Sequence, residues 1–368
     1  MKIIFIIPSV SDSHYKNRIL EFIQNGFDVY VYGFSRKGHN CTQNLPYPIE
    51  MIGELEDEGY LSRLKLYFKE FGKIVRRYNN QSVLFYVGGL DIAMFFHFLF
   101  PRLQYIYEEC DLVHTYLGRA KYFLEIIDKI VIRKSFMTVT TSEGFINYHF
   151  NGQKPDNVFL IENRLDPSVL KLSRIKKHPF IKENISFGFV GKPRFDSVLN
   201  FIQVVCRTFP QHTVHIFGGP VEPQFRVLEK YSNCIFHGFF NNPYDLPEIY
   251  SKIDFVLSTY DAGIENVCYA EPNKIYESIF FETPIIVSKN TFLEKKVQRL
   301  GIGYSVDALN DKEIIDFVSN ISEDHVNDTI GKIQAMDKTE AINFNDEFFA
   351  CLKNRLESNF RKNITDNK

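Results

Sequence analysis

The chain has 368 residues, of which 45% are hydrophobic and 24% are charged, and its formal net charge is -2. This length predicts two globular domains rather than one. A net charge so close to zero provides no global positive field that would attract nucleic acid, so we expect no nucleic-acid partner.

The cysteines indicate neither a disulfide framework nor a zinc site. The six residues are scattered, and none forms a C-x-x-C pair. This usage predicts a reduced, cytoplasmic setting. The acidic clusters at 56–58 and 108–111 lack a metal-site context, so we expect no metal and no cofactor. The longest apolar stretch, Ile92 to Phe100, is too short to cross a bilayer.

The first half of the chain alternates short apolar runs with helical patterns, which is typical of a parallel sheet covered by helices. The predicted strands are Lys2–Ile7, Asp28–Tyr32, Ser82–Val87, Tyr105–Tyr107 and Met137–Thr140. The predicted helices are Asn17–Asn25, Ile92–Leu99 and Tyr122–Lys134.

The same alternation restarts after a polar stretch at 166–184, which we interpret as an exposed connection between domains at 1–165 and 185–345. The predicted strands of the second domain are Ser186–Val190, Thr213–Phe217, Cys234–His237, Phe255–Ser258 and Pro284–Val287. The predicted helices are Ser197–Thr208, Asp245–Lys252 and Lys274–Phe281. A last helix is predicted near 346–360, and the sequence leaves open whether it packs back on the first domain.

The predicted fold class is therefore α/β, with two Rossmann-like doubly wound domains facing across a cleft. In such sheets, ligands bind at the carboxyl ends of the strands. The residues that follow each predicted strand of the second domain are therefore candidate ligand contacts.

The most informative segment is 269–286, which begins with a polar turn and continues as a helix and a buried strand. Lys274 adds a positive charge at the start of the helix, where free N–H groups suit an anion. Glu277, in the first turn, can accept hydrogen bonds from a vicinal diol such as a ribose. The pattern indicates a phosphorylated, polyhydroxylated ligand.

Glycines follow other strands of this domain. Gly191 precedes Lys192 and Arg194, two cations that either neutralise a pyrophosphate or are solvated surface charges. Gly218 also follows a strand, and by itself it indicates a turn rather than a ligand site.

Two further loops follow strands in the same way. Gly238 and Phe239 either read a nucleobase edge or belong to core packing. Tyr260 opens a connection that is long for its position, and long loops at strand ends often carry substrate contacts.

These residues occur in an order that resembles the donor half of a GT-B-fold retaining glycosyltransferase of the family-4 kind. The matching positions are Val190-Gly191-Lys192, Gly218, Gly238, Asp245, Tyr250, Asp254, Pro272, Lys274, Glu277 and Thr283-Pro284. The N-terminal half is similar, more loosely, to the acceptor halves of members that build bacterial capsules and surface polysaccharides. The resemblance implies a nucleotide-diphosphate sugar in the interdomain cleft, a glycan or lipid-linked acceptor, and metal-independent transfer with retention.

The resemblance also implies roles for single residues. Glu277 matches the glutamate that holds the ribose hydroxyls, whereas the sugar-contacting glutamate eight positions earlier is replaced by Tyr269. Lys192 matches the first of two cations on the pyrophosphate. The second position is Ser197, a departure that Arg194 can replace with its fork of donors. The implied donor site consists of Gly191, Lys192, Arg194, Gly218, Gly238, Phe239, Tyr260, Tyr269, Asn273, Lys274 and Glu277.

Polar residues also follow strands of the first domain. Glu108 and Asp111 are candidates for a catalytic or acceptor-side role, beside the catalytic cations Lys192 and Arg194. His114 is either an acceptor contact or an ordinary helix-surface histidine. In the first loop, Ser11 and His14 are further candidate acceptor contacts.

Residues 63–78 form a basic amphipathic pattern. Such a helix either docks on anionic lipid, as a peripheral protein on the inner face of the cell membrane, or packs its apolar stripe on the sheet.

The sequence is also compatible with two alternatives to sugar transfer. One is an epimerase of similar fold that acts on the nucleotide-sugar itself. The other is a non-catalytic GT-B partner subunit, because both family positions at Tyr269 and Ser197 are changed. A dinucleotide oxidoreductase is disfavoured, because no G-x-G-x-x-G follows the first strand.

Overall fold

A computed structural model describes residues 1–36, 46–55, 60–79, 81–173, 175 and 177–365. The acidic cluster at 56–58, with Arg174 and Lys176 of the predicted connection, lies outside these residues. The chain divides into two compact units. The first unit is Met1–Ile161 with Asn345–Lys368, and the second is Glu162–Phe344. The stretch at 166–184 is thus part of the second unit.

The first unit contains a parallel sheet with the strand order β3-β2-β1-β4-β5-β6-β7 among its described residues. The strands are β1 (Lys2–Ile7), β2 (Asp28–Arg36), β3 (Ile49–Leu55), β4 (Val83–Gly88), β5 (Tyr105–Glu109), β6 (Met137–Thr140) and β7 (Val158–Leu160). The helices are α1 (Ser13–Gln24), α2 (Tyr60–Arg77), α3 (Leu90–Leu99), α4 (Lys121–Lys134), α5 (Glu143–Phe150) and, at the C-terminus, α13 (Asp346–Thr365).

The second unit contains a parallel sheet with the order β10-β9-β8-β11-β12-β13 in the part that the structure describes. The strands are β8 (Ser186–Val190), β9 (Thr213–Phe217), β10 (Cys234–Gly238), β11 (Phe255–Ser258), β12 (Ile285–Ser288) and β13 (Gly303–Val306). The helices are α6 (Asp196–Thr208), α7 (Leu246–Ser251), α8 (Glu265–Tyr269), α9 (Lys274–Phe280), α10 (Phe292–Leu300), α11 (Asp311–Ser319) and α12 (Glu323–Ala335).

Both sheets confirm the prediction of two doubly wound α/β units. Their central strands are apolar on both faces, as in β1, where Ile3 to Ile7 are all buried. Parallel strands need this composition because helices cover both faces of the sheet. In each sheet the strand order reverses next to the first strand, between β1 and β4 and between β8 and β11. Connections leave in opposite directions at such a point, which opens a crevice at the strand ends.

The two faces of the first sheet are covered by different helices. Apolar residues of α2, α3 and α4, among them Phe71, Phe96 and Val131, share one buried cluster with the sheet. Residues of α1 and α13, among them Phe22 and Phe349, share the cluster on the other face. The C-terminal helix is therefore a structural element of the first unit.

The described part of the chain contains no helix whose length and apolar character would suffice to cross a membrane.

The packing of α13 generates a stability prediction. The rings of Phe349 and Phe22 lie 5.0 Å apart, and Phe349 is 2% exposed. Replacing it, as Phe349→Ala, should lower the free energy of unfolding by about 3–5 kcal/mol, because the change leaves a cavity. Urea denaturation of the full chain measures the loss. Phe123→Ala is the matched control, because Phe123 is 66% exposed and should change the free energy by less than about 0.5 kcal/mol. Equal effects of both substitutions would show that α13 does not stabilise the unit.

Candidate functional site

The carboxyl edge of the second sheet brings two of the predicted glycines together. Gly191 follows β8 with φ +125°, and Gly218 follows β9 with φ +129°. A Cβ on Gly218 would lie 2.3 Å from the carbonyl oxygen of Gly191. The backbones of Gly191 and Gly218 pack directly on each other, and only glycine fits this contact. The lack of a side chain at Gly191 and Gly218 keeps the strand ends accessible to a ligand.

Lys274 holds its ammonium group beside this backbone. Its Nζ lies 4.7 Å from the centre of the Phe189 ring and 3.6 Å from where a Cβ on Gly191 would lie. It also donates a hydrogen bond of 2.7 Å to the hydroxyl of Tyr260. Lys274 is only 7% exposed. This cation is therefore placed at the strand-order reversal, where a phosphate that approaches Gly191 would meet it.

Glu277 lies three residues after Lys274 on α9. The hydroxyl of Tyr250 donates a hydrogen bond of 2.6 Å to its Oε2, and burial raises the pKa of the Glu277 carboxyl. Tyr250 is a neutral donor, so the carboxylate keeps the capacity to accept hydrogen bonds from ligand hydroxyls. The helix has only seven residues and Asn273 caps it without a side-chain hydrogen bond. We therefore assign anion binding here to Lys274 rather than to the helix start.

Lys192 and Arg194 are the exposed cations of the same edge. The Nζ of Lys192 lies 3.1 Å from Oε1 of Glu222. The guanidinium of Arg194 stacks 4.9 Å from the ring centre of Phe195, which in turn lies 4.6 Å from the Tyr260 ring. Arg194 is thus connected to Lys274 through the Phe195 and Tyr260 rings. Lys192 is paired with Glu222, which a polyanionic ligand would have to displace.

Ser197, the position that departs from the family's cation pair, is buried rather than directed at a ligand. Its hydroxyl donates to the carbonyl oxygen of Thr259 at 2.7 Å, and its backbone N–H donates to Oδ1 of Asp261 at 2.8 Å. Oδ2 of Asp261 accepts from the N–H of Asp196 at 3.2 Å. The positive end of α6 is thus neutralised by Asp261, a role that sequence reasoning missed.

Glu271, an acidic residue two positions after Tyr269, already has partners within the second unit. Glu271 is 2% exposed, forms an ion pair with Lys296, and accepts from the Tyr276 hydroxyl at 3.1 Å. Lys296 also lies 2.6 Å from Glu162. Burial raises the pKa of the Glu271 carboxyl, and Lys296 opposes the rise. Tyr269 itself is half-buried at the end of α8.

The last predicted donor contacts lie at the edge of the sheet. Gly238 ends β10, and Phe239 after it is 79% exposed. The Phe239 ring lies about van der Waals distance, 3.4 Å, from where a Cβ on Gly219 would be. An exposed ring beside a glycine suits stacking, and contact of Phe239 with a nucleobase stays a prediction.

In the first unit, Glu108 is the penultimate residue of β5 and is fully buried. His14 Nε2 lies 2.9 Å and Arg18 Nε 3.0 Å from its Oε1. Burial by itself would raise the pKa of Glu108, but Arg18 and His14 outweigh it and lower the pKa to about 2. The structure therefore brings the predicted residues Glu108 and His14 together around an arginine that the sequence analysis did not select.

The other candidates of the first unit differ in accessibility. Ser11 and Asp111 are exposed, and the Ser11 hydroxyl lies 3.0 Å from that of Ser9. His114 is fully buried, with Nε2 3.3 Å from the Tyr148 hydroxyl. It is therefore not a helix-surface residue, and we do not include it in the proposed acceptor site.

Comparisons with known proteins identify the fold. No family model matches the chain, and no curated protein sequence matches it significantly. Sucrose-phosphate synthase from Thermosynechococcus elongatus is 13% identical, with a TM-score of 0.69 over 98% of this chain and 100% of that chain. Anabaena HepE in complex with UDP and glucose is 14% identical, with a TM-score of 0.68 over 97% and 100%.

A third neighbour is the lipopolysaccharide outer core galactosyltransferase WaaB in its apo form. It is 15% identical, with a TM-score of 0.62 over 98% of this chain and 100% of that chain. This chain has the GT-B fold. Identities this low establish the fold alone, and the activity has to be argued from the site.

The environment of Glu108 generates a pH prediction. The pKa of Glu108 is about 2 in the folded protein and about 4.3 in the unfolded chain, so its ionised form favours folding. This contribution to the free energy of unfolding is fully present above about pH 4.3 and is lost as the pH falls toward about 2. Glu108→Gln should cost about 3–5 kcal/mol at pH 7, because it leaves the buried Arg18 without its Glu108 charge. The difference from wild type should shrink between pH 5 and 2. Calorimetric unfolding across this pH range measures it.

The surface substitution Glu347→Gln is the matched control, because Glu347 is exposed on α13 of the same unit. It should change stability little at any pH. A Glu108→Gln difference that stays constant down to pH 2 would contradict the ionised state of Glu108.

Proposed function

We propose that this protein transfers a sugar from a nucleotide-diphosphate sugar to a glycan or lipid-linked acceptor, with retention of configuration, in surface-polysaccharide synthesis. The observation that carries this proposal is the arrangement of Lys274, Glu277 and Gly191 at the strand-order reversal of the second sheet. Lys274 serves the diphosphate, Glu277 the ribose hydroxyls, and Gly191 allows the close approach of both. The GT-B neighbours, one of them in complex with UDP and glucose, support this donor class.

The charges at this edge suit the departure of a nucleoside diphosphate. In the transfer, the bond from the anomeric carbon to the diphosphate oxygen breaks and negative charge develops on that oxygen. Lys274 is held in place, and Lys192 and Arg194 are exposed on the same edge. Preorganised cations of this kind stabilise the developing charge, which is the role that a metal ion fills in other transferases.

The acceptor side is proposed on the first unit. Ser11, His14 and Asp111 follow β1 and β5, so they lie at the carboxyl edge of the first sheet. Glu108 orients His14 through their 2.9 Å contact. The acceptor hydroxyl loses a proton in the transfer. The Asp111 carboxylate is the candidate to receive this proton, and Ser11 and His14 are the candidates to orient the hydroxyl by hydrogen bonds.

A lipid-linked acceptor would place the protein at a membrane surface, and α4 suits this better than the predicted segment at 63–78. Phe71 and Tyr78 of that segment are buried against the first sheet, which favours the packing interpretation. By contrast, apolar side chains on one face of α4 are exposed. They are Tyr122 (73% exposed), Phe123 (66%), Ile126 (60%) and Ile130 (38%).

Basic residues accompany this face. Arg119, Arg133 and Lys134 are exposed at the two ends of α4. A helix surface with aromatic and aliphatic side chains between cations is typical of helices that lie in an anionic lipid interface. We therefore propose that α4 is the membrane-facing helix.

The α4 proposal predicts that Phe123→Glu lowers binding to vesicles that contain phosphatidylglycerol. A charge in the apolar face both removes buried area and repels anionic lipid, so we expect a loss of roughly tenfold or more in the partition coefficient. Vesicle co-sedimentation measures it. Phe344→Glu is the matched control, because Phe344 is an exposed phenylalanine of the second unit. Equal binding of both variants would contradict the assignment to α4.

The donor site predicts that Glu277→Ala raises the dissociation constant of the preferred nucleotide-sugar by roughly 10–100-fold. Hydrogen bonds from a diol to a carboxylate contribute about 1.5–3 kcal/mol, which sets this range. Titration calorimetry with a panel of UDP-, GDP- and ADP-sugars measures the constants. Glu229→Ala, at an exposed glutamate of the same unit, should leave them unchanged. Unchanged binding by Glu277→Ala would remove Glu277 from the site.

One assay separates transfer from its alternatives. The full chain is incubated with the same panel, with and without lipid-linked acceptor. Release of nucleoside diphosphate that depends on acceptor supports the proposal. Isomerisation of the sugar without acceptor identifies an epimerase instead, and nucleotide binding without turnover identifies a non-catalytic subunit.

A further inference from the structure

The first unit contains a cluster of titratable side chains that the proposed transfer does not use. Glu109 ends β5, Asp128 lies on α4, His149 lies on α5, and His114 lies on the short 3-10 helix Val113–Tyr116. All four are buried, with Asp128 and His114 at 0% exposure. The four residues thus converge from four different elements beneath the carboxyl edge of the sheet.

Neighbouring hydroxyls orient the outer atom of three of these groups. Tyr107 donates to Oδ1 of Asp128 at 3.1 Å, and Thr140 donates to Oε2 of Glu109 at 3.4 Å. The Tyr148 hydroxyl lies 3.3 Å from Nε2 of His114. Each contact leaves the other oxygen or nitrogen of the same side chain facing the centre of the cluster. Outer partners of this kind are how proteins orient metal ligands.

The inward atoms lie at distances that suit a single ion. His149 Nε2 shares a hydrogen bond of 2.7 Å with Glu109 Oε1 and lies 3.8 Å from Asp128 Oδ2. These three donor atoms all lie within 4.8 Å of one another. His114 Nδ1 is 3.3 Å from Asp128 Oδ2. Ligands about 2.0–2.2 Å from a zinc ion in tetrahedral geometry are about 3.3–3.6 Å apart. The distance between His114 and Asp128 fits this spacing, and the hydrogen-bonded atoms of His149 and Glu109 would separate by about 0.6–0.9 Å to admit the ion.

Two of these inward atoms are buried without a hydrogen bond. Among the described residues, neither Asp128 Oδ2 nor His114 Nδ1 has a hydrogen-bond partner. A buried carboxylate oxygen that makes no hydrogen bond is costly, and an ion that accepts its lone pair removes the cost.

We propose that Glu109, Asp128, His149 and His114 bind one divalent transition-metal ion, with zinc as the expected species. Imidazole nitrogen and carboxylate oxygen are donors that zinc accepts in four-coordinate sites. The ion would link β5 to α4 and α5, so its role in this unit is structural. No short sequence motif predicts this site, because Glu109 and His149 are 40 residues apart in the chain.

A second group with metal-ligand chemistry, His14, Glu108 and Cys110, does not support the same inference. The guanidinium of Arg18 lies 3.0 Å from Glu108 and already supplies the positive charge. A cation beside that guanidinium would be repelled, so we restrict the proposal to the cluster around Asp128.

The first test measures metal in the wild-type protein. The full chain, purified without a histidine tag, is treated with a chelator, dialysed, and incubated with zinc chloride. Mass-spectrometric metal analysis should find one tightly held equivalent per chain after gel filtration. The melting temperature should rise by roughly 5–10 °C at free zinc about 100-fold above the dissociation constant. The same loading is repeated with cobalt, manganese and ferrous chlorides, and absence of a retained equivalent of all four metals would overturn the proposal.

Variants locate the ion. His149→Gln and Asp128→Asn should lose the retained equivalent and the zinc-dependent rise in melting temperature. Tyr107→Phe removes only the outer hydroxyl on Asp128 and should weaken zinc affinity by roughly 10–100-fold. His237→Gln is the matched control, because His237 forms the exposed pair with His215 in the second unit at 2.9 Å. If His237→Gln loses the ion while His149→Gln keeps it, the cluster around Asp128 is not the site.

Discussion

The reversal of strand order between β8 and β11 is the constraint on which the candidate donor site depends. The connections after these strands run in opposite directions, so the space between them is left open at the sheet edge. Gly191 keeps that space accessible, and the side chain of Lys274 reaches it from α9 between Phe189 and Tyr260. An anion that enters this crevice meets a positive charge already in position, which is the physical basis of the proposed function.

The buried glutamates differ in whether their partner is a cation or a neutral group, and this difference distinguishes structural residues from candidate ligand contacts. Glu271 is paired with Lys296, and Glu108 with Arg18, so each buried charge is compensated by a cation of the same unit. Such pairs are destabilised strongly when one partner is removed, which suits a structural role. Glu277 is held instead by the neutral hydroxyl of Tyr250. It therefore retains the electrostatic capacity to bind ligand hydroxyls, and this favours it over Glu271 as a substrate contact.

Local patterns predicted the central strands of both sheets, because apolar runs buried on both faces are continuous in sequence. The same patterns missed β3, β7 and β13. β7 has only three residues, and the residues of β3 and β13 are less uniformly apolar. β3 contains Glu50, Gly53 and Glu54 and lies at the edge of its sheet, where only part of its surface is covered. The cap of α6 by Asp261 was also missed, because the two partners are separated by more than 60 residues.

The sequence by itself determined the alternation of strands and helices, the glycines at the strand ends, and the pairing of Lys274 with Glu277 in one helix. The strand–helix alternation, the glycine positions and the placement of Lys274 and Glu277 three residues apart depend on neighbouring residues and on local backbone geometry. Only the tertiary structure decided which charges are compensated, which faces are exposed, and that Glu109, Asp128, His149 and His114 converge. Burial and long-range ion pairing depend on elements that are distant in the chain, so no local pattern carries that information.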